Sequence, residues 1–464
     1  MTRSLREWQH QCKEIALTHY GKTPHFFCQA TPGSGKTRMA AELAKDLLEK
    51  DRIDLVLCFA PSRQVVEGFR RTFSGVLNRR MDGLIGAVGA ACTYQGMEYR
   101  DEAFWKLFDD YRVFAVFDEI HHCAGHDALL SNAWGQRIIQ RVQDRAEFTL
   151  ALSGTPWRSD HKAIVLARYS TPEGNLICDY QYGLAEAISD QVCRSPRIVI
   201  LDNQMVSMTE ALASQSTVTM FPNIASLLTD SAVSYESLLV HEDVLRQLLV
   251  LGCRKLKEIR EVKADAGGLV VATNIEHAHQ IAAMLLGEGE TCEVVTNKTP
   301  NAQQVIDDFR FSSTAWIVAV GMISEGTDIP RLQVCCHLSR IRTELYYRQV
   351  LGRILRRSVN HDTEAWLYVL AEPSLQQFSE RVADDLPGDH AVISVVQGGA
   401  SPITKSFTEA QGDEQSLGLV VPIGLRHSDA GGQSSSGQIN AYKMGPSYEL
   451  SFSQHYRTQL LRIC

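Results

Sequence analysis

Residues 30–37 read Ala-Thr-Pro-Gly-Ser-Gly-Lys-Thr, between an apolar run at 26–29 and a helical stretch at 37–50. A strand that hands over to a helix through such a loop is the context a phosphate-binding loop requires. Gly33 and Gly35 let main-chain amides face the phosphates. Lys36 would reach the β and γ phosphates, and the Thr37 hydroxyl would ligate a bridging Mg2+ ion. The usual first glycine of such a loop is replaced by Ala30.

Asp118-Glu119-Ile120-His121 follows the apolar run 113–117. In a parallel sheet, carboxylates leaving that strand emerge beside the phosphate loop. Two tasks then divide between them: Asp118 holds the magnesium ion through its hydration shell, and Glu119 orients and deprotonates an attacking water. On its own an Asp-Glu pair is usually a solvated turn; its place after an apolar strand downstream of the loop gives it this meaning. His121, His122, Cys123 and His126 are all zinc-ligand types. Three adjacent residues do not converge easily on one ion, and no second ligand cluster is near in sequence, so zinc is not expected.

The elements that must carry these residues alternate short apolar runs with helical stretches, the pattern of a parallel sheet covered by helices. One such block runs from 26 to 169, with strand candidates at 26–29, 55–60, 113–117 and 148–152. A second begins at 267, with candidates at 268–272, 293–296, 315–320, 333–338 and 365–370 and helices at 301–311 and 343–357. Between them, 170–266 shows helical periodicity with few strand signals after 197–201. Beyond 399 the composition drifts toward Gly, Ser and Gln, 429–438 reads as a flexible linker, and 447–464 has helical character.

These motifs resemble those of the DEAH-like helicases and DNA translocases of superfamily 2, and the resemblance covers residues 5–370. It implies an α/β fold of two tandem RecA-like domains: 1–169 as the ATP-binding domain, 170–266 as a mostly helical connector or insert, 267–399 as the second domain, and 400–464 as a linker and C-terminal segment. Leu5-Arg6-Glu7-Trp8-Gln9 resembles the motif that reads adenine, with Gln9 on the base edge. His121, Ser153 and Thr155, the last two in Ser153-Gly154-Thr155-Pro156, match motifs that couple hydrolysis to domain movement. Ala60-Pro61-Ser62-Arg63 and Thr93-Tyr94-Gln95 resemble the nucleic-acid motifs of the first domain, which assigns backbone contacts to Pro61, Ser62, Arg63, Thr93 and Gln95. In the second, Thr273 within Ala272-Thr273-Asn274 is a backbone contact or equally a strand-end turn residue. Asp328, in Gly326-Thr327-Asp328-Ile329-Pro330, is implied at the ribose or the neighbouring pocket.

The most discriminating pattern is QxxGRxxR, which runs from Gln349 to Arg356. Spacing of i, i+4 and i+7 puts Gln349, Arg353 and Arg356 on one side of a helix. That side would meet phosphates held by the first domain, with Arg353 and Arg356 as arginine fingers that act once the domains close. A solvated basic face is the plainer alternative. Tyr346, Leu351 and Leu355 supply an apolar face, and Gly352 interrupts a good helix for no evident local benefit. Val350 stands where many members of the family carry a basic residue.

Bulk composition is compatible with this. The 464 residues suffice for two or three domains, with 44% hydrophobic and 22% charged residues. The net charge of −8 excludes a protein that coats nucleic acid with its whole surface, but not a local track built from main-chain amides and helix N-termini. No apolar run approaches a membrane span, residues 1–11 lack the apolar core of a signal peptide, and the 12 cysteines show no CxxC pairing, so a cytoplasmic setting with reduced thiols and no membrane is expected. The expected activity is that of an ATP- and Mg2+-dependent DNA helicase or translocase in repair or defence, with DNA preferred to RNA because the tetrad is Asp-Glu-Ile-His and the coupling motif Ser-Gly-Thr. The alternatives are an RNA helicase, and a nucleotide-switched scaffold that recruits a partner such as a nuclease subunit.

Overall fold

The computed structural model describes residues 4–123, 132–155, 162–212, 215–321, 323, 328–357, 362–386, 392–398, 448–453 and 455–462. Pro156, Gly326, Thr327, His126 and the expected linker 429–438 lie outside them.

Six parallel strands make the first sheet, in the order Gly89–Thr93, Leu55–Ala60, Val113–Phe117, Phe148–Ser153, His25–Ala30, Tyr180–Tyr182. Val113–Phe117 is buried at every position, as a strand covered on both faces must be. The helices Glu7–His19, Lys36–Glu49 and Arg63–Leu77 lie side by side. Because all strands run the same way, the ends of His25–Ala30, Leu55–Ala60, Val113–Phe117 and Phe148–Ser153 open on one edge, and there the chemistry collects.

The second sheet has eight strands, ordered Cys292–Val295, Trp316–Ala319, Gly267–Val271, Leu332–His337, Glu364–Leu370, Ser195–Asn203, Tyr456–Arg462, Val392–Gly398. The first six are parallel, and the last two run antiparallel to their neighbours. Helix Glu344–Ile354 packs against Leu332–His337 and meets the first domain at Pro32.

Two expectations are corrected here. Residues 170–266 are not a helical insert: Tyr180–Tyr182 closes the first sheet, Ser195–Asn203 is a central strand of the second, and Val206–Leu212 and Gln215–Phe221 form a hairpin. Only 224–262 is mainly helical, and its run breaks between Tyr235–Leu239 and Glu242–Val262. The end of the chain is extended rather than helical. Tyr448–Phe452 pairs with the hairpin and Tyr456–Arg462 with Ser195–Asn203. Tyr456, Thr458 and Leu460 are buried on alternate positions against that neighbour, so sheet pairing outweighs the local helical preference of Leu and Arg. Among the described residues no helix is long and apolar enough to cross a membrane.

Candidate nucleotide site between the two halves

The loop after His25–Ala30 turns back through Gly33 at φ +83° and Gly35 at φ +99°, both in the left-handed region that favours glycine. Gly35 caps helix Lys36–Glu49, whose free amides and dipole create an anion site. Lys36 is buried. Its Nζ donates to the Ala30 carbonyl at 3.0 Å and lies 3.4 Å from Glu119 Oε1.

Glu119 itself has a left-handed backbone, φ 49° and ψ 50°, directly after Val113–Phe117. Its Oε2 accepts from the Gly154 amide at 3.1 Å and lies 3.4 Å from His121 Nδ1. Burial pushes this carboxyl up, but Lys36, His121 and the Gly154 N–H together outweigh it and hold the group at about 2. A carboxylate paired this tightly is ionised but weakly basic; drawing Lys36 onto phosphate oxygens would release it. The stability that its ionisation contributes is complete above the ordinary value of 4.5 and is lost as pH falls toward about 2. Glu119→Gln should therefore leave Mg-ATP binding intact and stop hydrolysis, so that a closed, nucleic-acid-bound complex persists; failure to bind ATP would contradict the assigned role.

His121 Nδ1 and Ser153 Oγ are 2.9 Å apart, and Ser153 Oγ also accepts from the Thr155 amide at 3.2 Å. His121, in the short helical turn Ile120–His122, and the strand-end residues Ser153 and Thr155 are thus linked to Glu119, and Thr155 reaches the cleft wall. Among the described residues no group of three or more His, Cys, Asp or Glu could hold a metal ion. Mg2+ calls for a sparser set: Asp118 and Thr37 line one cleft together with Lys36, a carboxylate and a hydroxyl that suit a hard cation retaining its waters.

Gln9 Nε2 donates to the Gly35 carbonyl at 2.9 Å, and its Oε1 accepts from the Arg6 amide at 2.9 Å. The Arg6 guanidinium, which sequence reasoning passed over, donates to the Ser34 carbonyl at 2.5 Å. Both side chains brace the loop from the expected adenine side.

From the second domain come Gln349, Arg353, Arg356 and Asp328, which line the same cleft of about 870 Å³ as Gly33, Gly35, Lys36, Thr37, Asp118, Glu119 and Thr155. The helix ends at Ile354, two residues short of Arg356, so the single-face geometry holds for Gln349 and Arg353 only. Arg356 arrives differently: it lies in an antiparallel bridge with Cys193, and its Nη1 pairs with Asp328 Oδ1 at 2.6 Å. Its stem lies on the loop, for a Cβ at Gly33 would fall 2.8 Å from Arg356 Cγ. Gly352 also finds its reason. A Cβ there would fall 2.8 Å from Pro32 Cβ, so the helix abuts the phosphate loop where a side chain would hold it off. Gly352→Leu should lower ATPase turnover by keeping the halves apart while barely moving the melting temperature; unchanged turnover would refute the contact. Val350 is buried in the second-domain core and has no route to a ligand.

The residues expected on nucleic acid divide. Pro61 and Arg63 line the cleft, while Ser62 Oγ accepts from the Val65 amide and caps helix Arg63–Leu77. Thr93 Oγ1 accepts from the Gly96 amide at 3.0 Å, and Gln95 opens a short helical turn. Thr273 Oγ1 lies 3.0 Å from His277 Nδ1, the strand-end role weighed for it. Across the cleft, Gln64 hydrogen-bonds Gln303, and Asp307 and Arg310 face the same space, contributions that the motifs did not signal.

Residues 2–158 match the family described as the res subunit of type III restriction enzymes, and 251–358 match the helicase conserved C-terminal domain. An uncharacterized protein of Mycobacterium leprae is 27% identical over 89% of this chain and 70% of its own length. The DNA 3'-5' translocase XPB2 of Sulfurisphaera tokodaii is 23% identical over 72% of this chain and 75% of its own. Two solved structures share the fold. One is the type ISP restriction-modification enzyme LlaBIII bound to DNA, with TM-score 0.52 and 14% identity over 82% of this chain; the match spans only 30% of that much longer enzyme. The other is a fragment assigned to the HsdR subunit of a type I restriction enzyme from Vibrio vulnificus, with TM-score 0.56 and 14% identity over 82% of this chain and 67% of that one.

Proposed function

We propose, from the premise that this chain belongs to the superfamily 2 helicases, that it couples ATP hydrolysis to movement along, or remodelling of, duplex or branched DNA. One observation carries the reading: Arg353 and Arg356, more than 300 residues from Lys36, share its cleft. Such a site can be completed and broken by relative movement of two domains, which is what a motor needs and a simple hydrolase does not.

In this reading Gly33, Gly35 and Lys36 cradle the phosphates, and Gln9 and Asp328 bound the adenosine end. Thr37 and Asp118 would hold Mg2+, which supplies charge neutralisation at the phosphates. Glu119 takes the proton of the attacking water, and Arg353 and Arg356, oriented with Gln349, meet the charge that develops on the γ phosphate. His121, Ser153 and Thr155 relay the state of Glu119 toward the domain boundary. Backbone contacts are assigned to Pro61, Ser62, Arg63, Thr93, Gln95 and Thr273, of which Ser62, Thr93 and Thr273 must act around the local hydrogen bonds they already make. DNA is favoured over RNA by the Asp-Glu-Ile-His tetrad and the Ser-Gly-Thr coupling motif, and it accords with a relative named as a DNA translocase. A nuclease subunit is a reasonable partner class, given the restriction enzymes among its matches.

ATPase turnover measured with single-stranded DNA, duplex DNA, forked DNA and RNA tests this directly. Stimulation by duplex or forked DNA above that by RNA is expected. Stimulation by RNA alone would make the chain an RNA helicase, and no stimulation by any would turn it into a switched scaffold.

A further inference from the structure

The chain passes from the first sheet to the second between Tyr182 and Ser195, and Arg194 stands at the end of that crossing, with no exposed surface. We infer that Arg194 is a positioning residue for hydrolysis: its guanidinium locks the end of helix Glu344–Ile354 to the segment behind Asp328, and so sets where Arg353 and Arg356 meet the phosphate loop. The inference rests on the reading of those two arginines as fingers.

All five guanidinium donors of Arg194 are engaged. Nε donates to Asp362 Oδ1 at 2.6 Å and Nη2 to the other oxygen of the same carboxylate. Nη1 donates to the carbonyls of Ile354 at 2.6 Å and Leu332 at 2.5 Å, and Nη2 to that of Pro330 at 2.7 Å. The Arg194 amide adds a bond to the Leu355 carbonyl at 2.7 Å. Ile354 and Leu355 end the finger helix, where carbonyls lack partners within the helix, so a buried cation both satisfies them and matches the helix dipole. Pro330 and Leu332 follow Asp328, the partner of Arg356. The flanking residue touches both sides of the site: Cys193 bridges Arg356, and its Sγ lies 3.8 Å from the Pro32 carbonyl of the phosphate loop.

A buried ion pair gains little over well-packed apolar residues, so stability alone is a poor reason for Arg194–Asp362, to which Lys263 Nζ adds a contact at 2.9 Å. Five directed donors that join three separated segments supply something else, a fixed register between the interdomain crossing and the fingers. Lysine keeps the charge and loses that fork.

The test compares Arg194→Lys, Asp362→Asn, Arg353→Ala and the double variant Arg194→Lys/Arg353→Ala in the full chain. Three readouts are taken: DNA-stimulated turnover, affinity for ADP–aluminium fluoride, and amide hydrogen exchange over 350–357. Arg194→Lys should lower turnover about tenfold, within the range that residues in contact couple, with the KM for ATP moved less than about twofold and exchange faster over 353–356. Because Arg194 acts through both fingers, its effect should shrink in the double variant to what Arg356 alone transmits, with a further loss of turnover and of fluoride-complex affinity well below the one that Arg194→Lys causes in the wild-type chain. Should Arg194→Lys fail to fold, Asp362→Asn, which releases one side of the fork, carries the same cycle. Wild-type turnover in Arg194→Lys, or losses that multiply in the double variant, would overturn the inference. Wild-type turnover in Arg353→Ala would instead bring down the finger reading itself, whatever Arg194 does.

Discussion

Arg353→Ala is expected to lower DNA-stimulated ATP hydrolysis by about 10³-fold or more, the scale on which arginine fingers act, while ATP affinity changes little. Arg353 is buried where the second-domain helix abuts Pro32, and it lines the cleft with Lys36 and Glu119. On the proposed reading its charge is held by the other domain, so it would stabilise the γ phosphate as charge develops there and contribute little to capture of the nucleotide. Arg356→Ala should resemble it, with part of its loss traceable to the bond with Asp328. Arg353→Lys should rescue poorly, because an ammonium does not reproduce the forked donors. Full DNA-stimulated turnover in Arg353→Ala would mean that the second half does not complete the site, and the chain would have to be reread as a single-domain ATPase.

Lys36→Ala should bring hydrolysis to background. The γ phosphate loses the main cation that the first domain offers it, and Glu119 loses the neighbour that holds its carboxyl low. These two effects oppose each other at Glu119: without Lys36 the carboxylate is a better base with no substrate correctly placed to use it. Hydrolysis therefore fails through the phosphate, and raising the pH should not restore it. Turnover near the wild-type rate would remove the phosphate-loop assignment.

The first half of the site was legible because its residues are local. A strand, two glycines in a turn and a helix beginning at Lys36 are encoded within a few positions, and so is the pair of acids after Val113–Phe117. QxxGRxxR was legible as a set of cleft residues but only partly as geometry. Spacing placed Arg356 on a helix face, whereas the helix stops at Ile354 because the Leu355 carbonyl and Arg356 pair with Arg194 and Cys193.

What was not legible depends on partners distant in the chain. Nothing adjacent to Arg194 announces that its donors reach Pro330, Leu332, Ile354 and Asp362. Residues 197–201 read as a strand within a helical region, yet the sheet they join is formed mostly by residues after 266, so the local sequence alone reads as an insert. At the C-terminus the alternation of Tyr456, Thr458 and Leu460 was a period-two signal, obscured by the helix-forming residues between and after them. Gly352 offers the opposite lesson: a residue with no local reason proved to mark a contact with Pro32 in the other domain.

The central claim is that one nucleotide is gripped by both domains and that this grip is coupled to DNA. Linkage makes it measurable: duplex DNA must tighten ADP–aluminium fluoride by the same factor by which ADP–aluminium fluoride tightens duplex DNA. Both affinities, each titrated with and without the other ligand at fixed salt, should show that reciprocal tightening in the wild-type chain and lose it in Arg353→Ala. Equal affinities in the presence and absence of the second ligand, in a wild-type chain that hydrolyses ATP, would contradict the account.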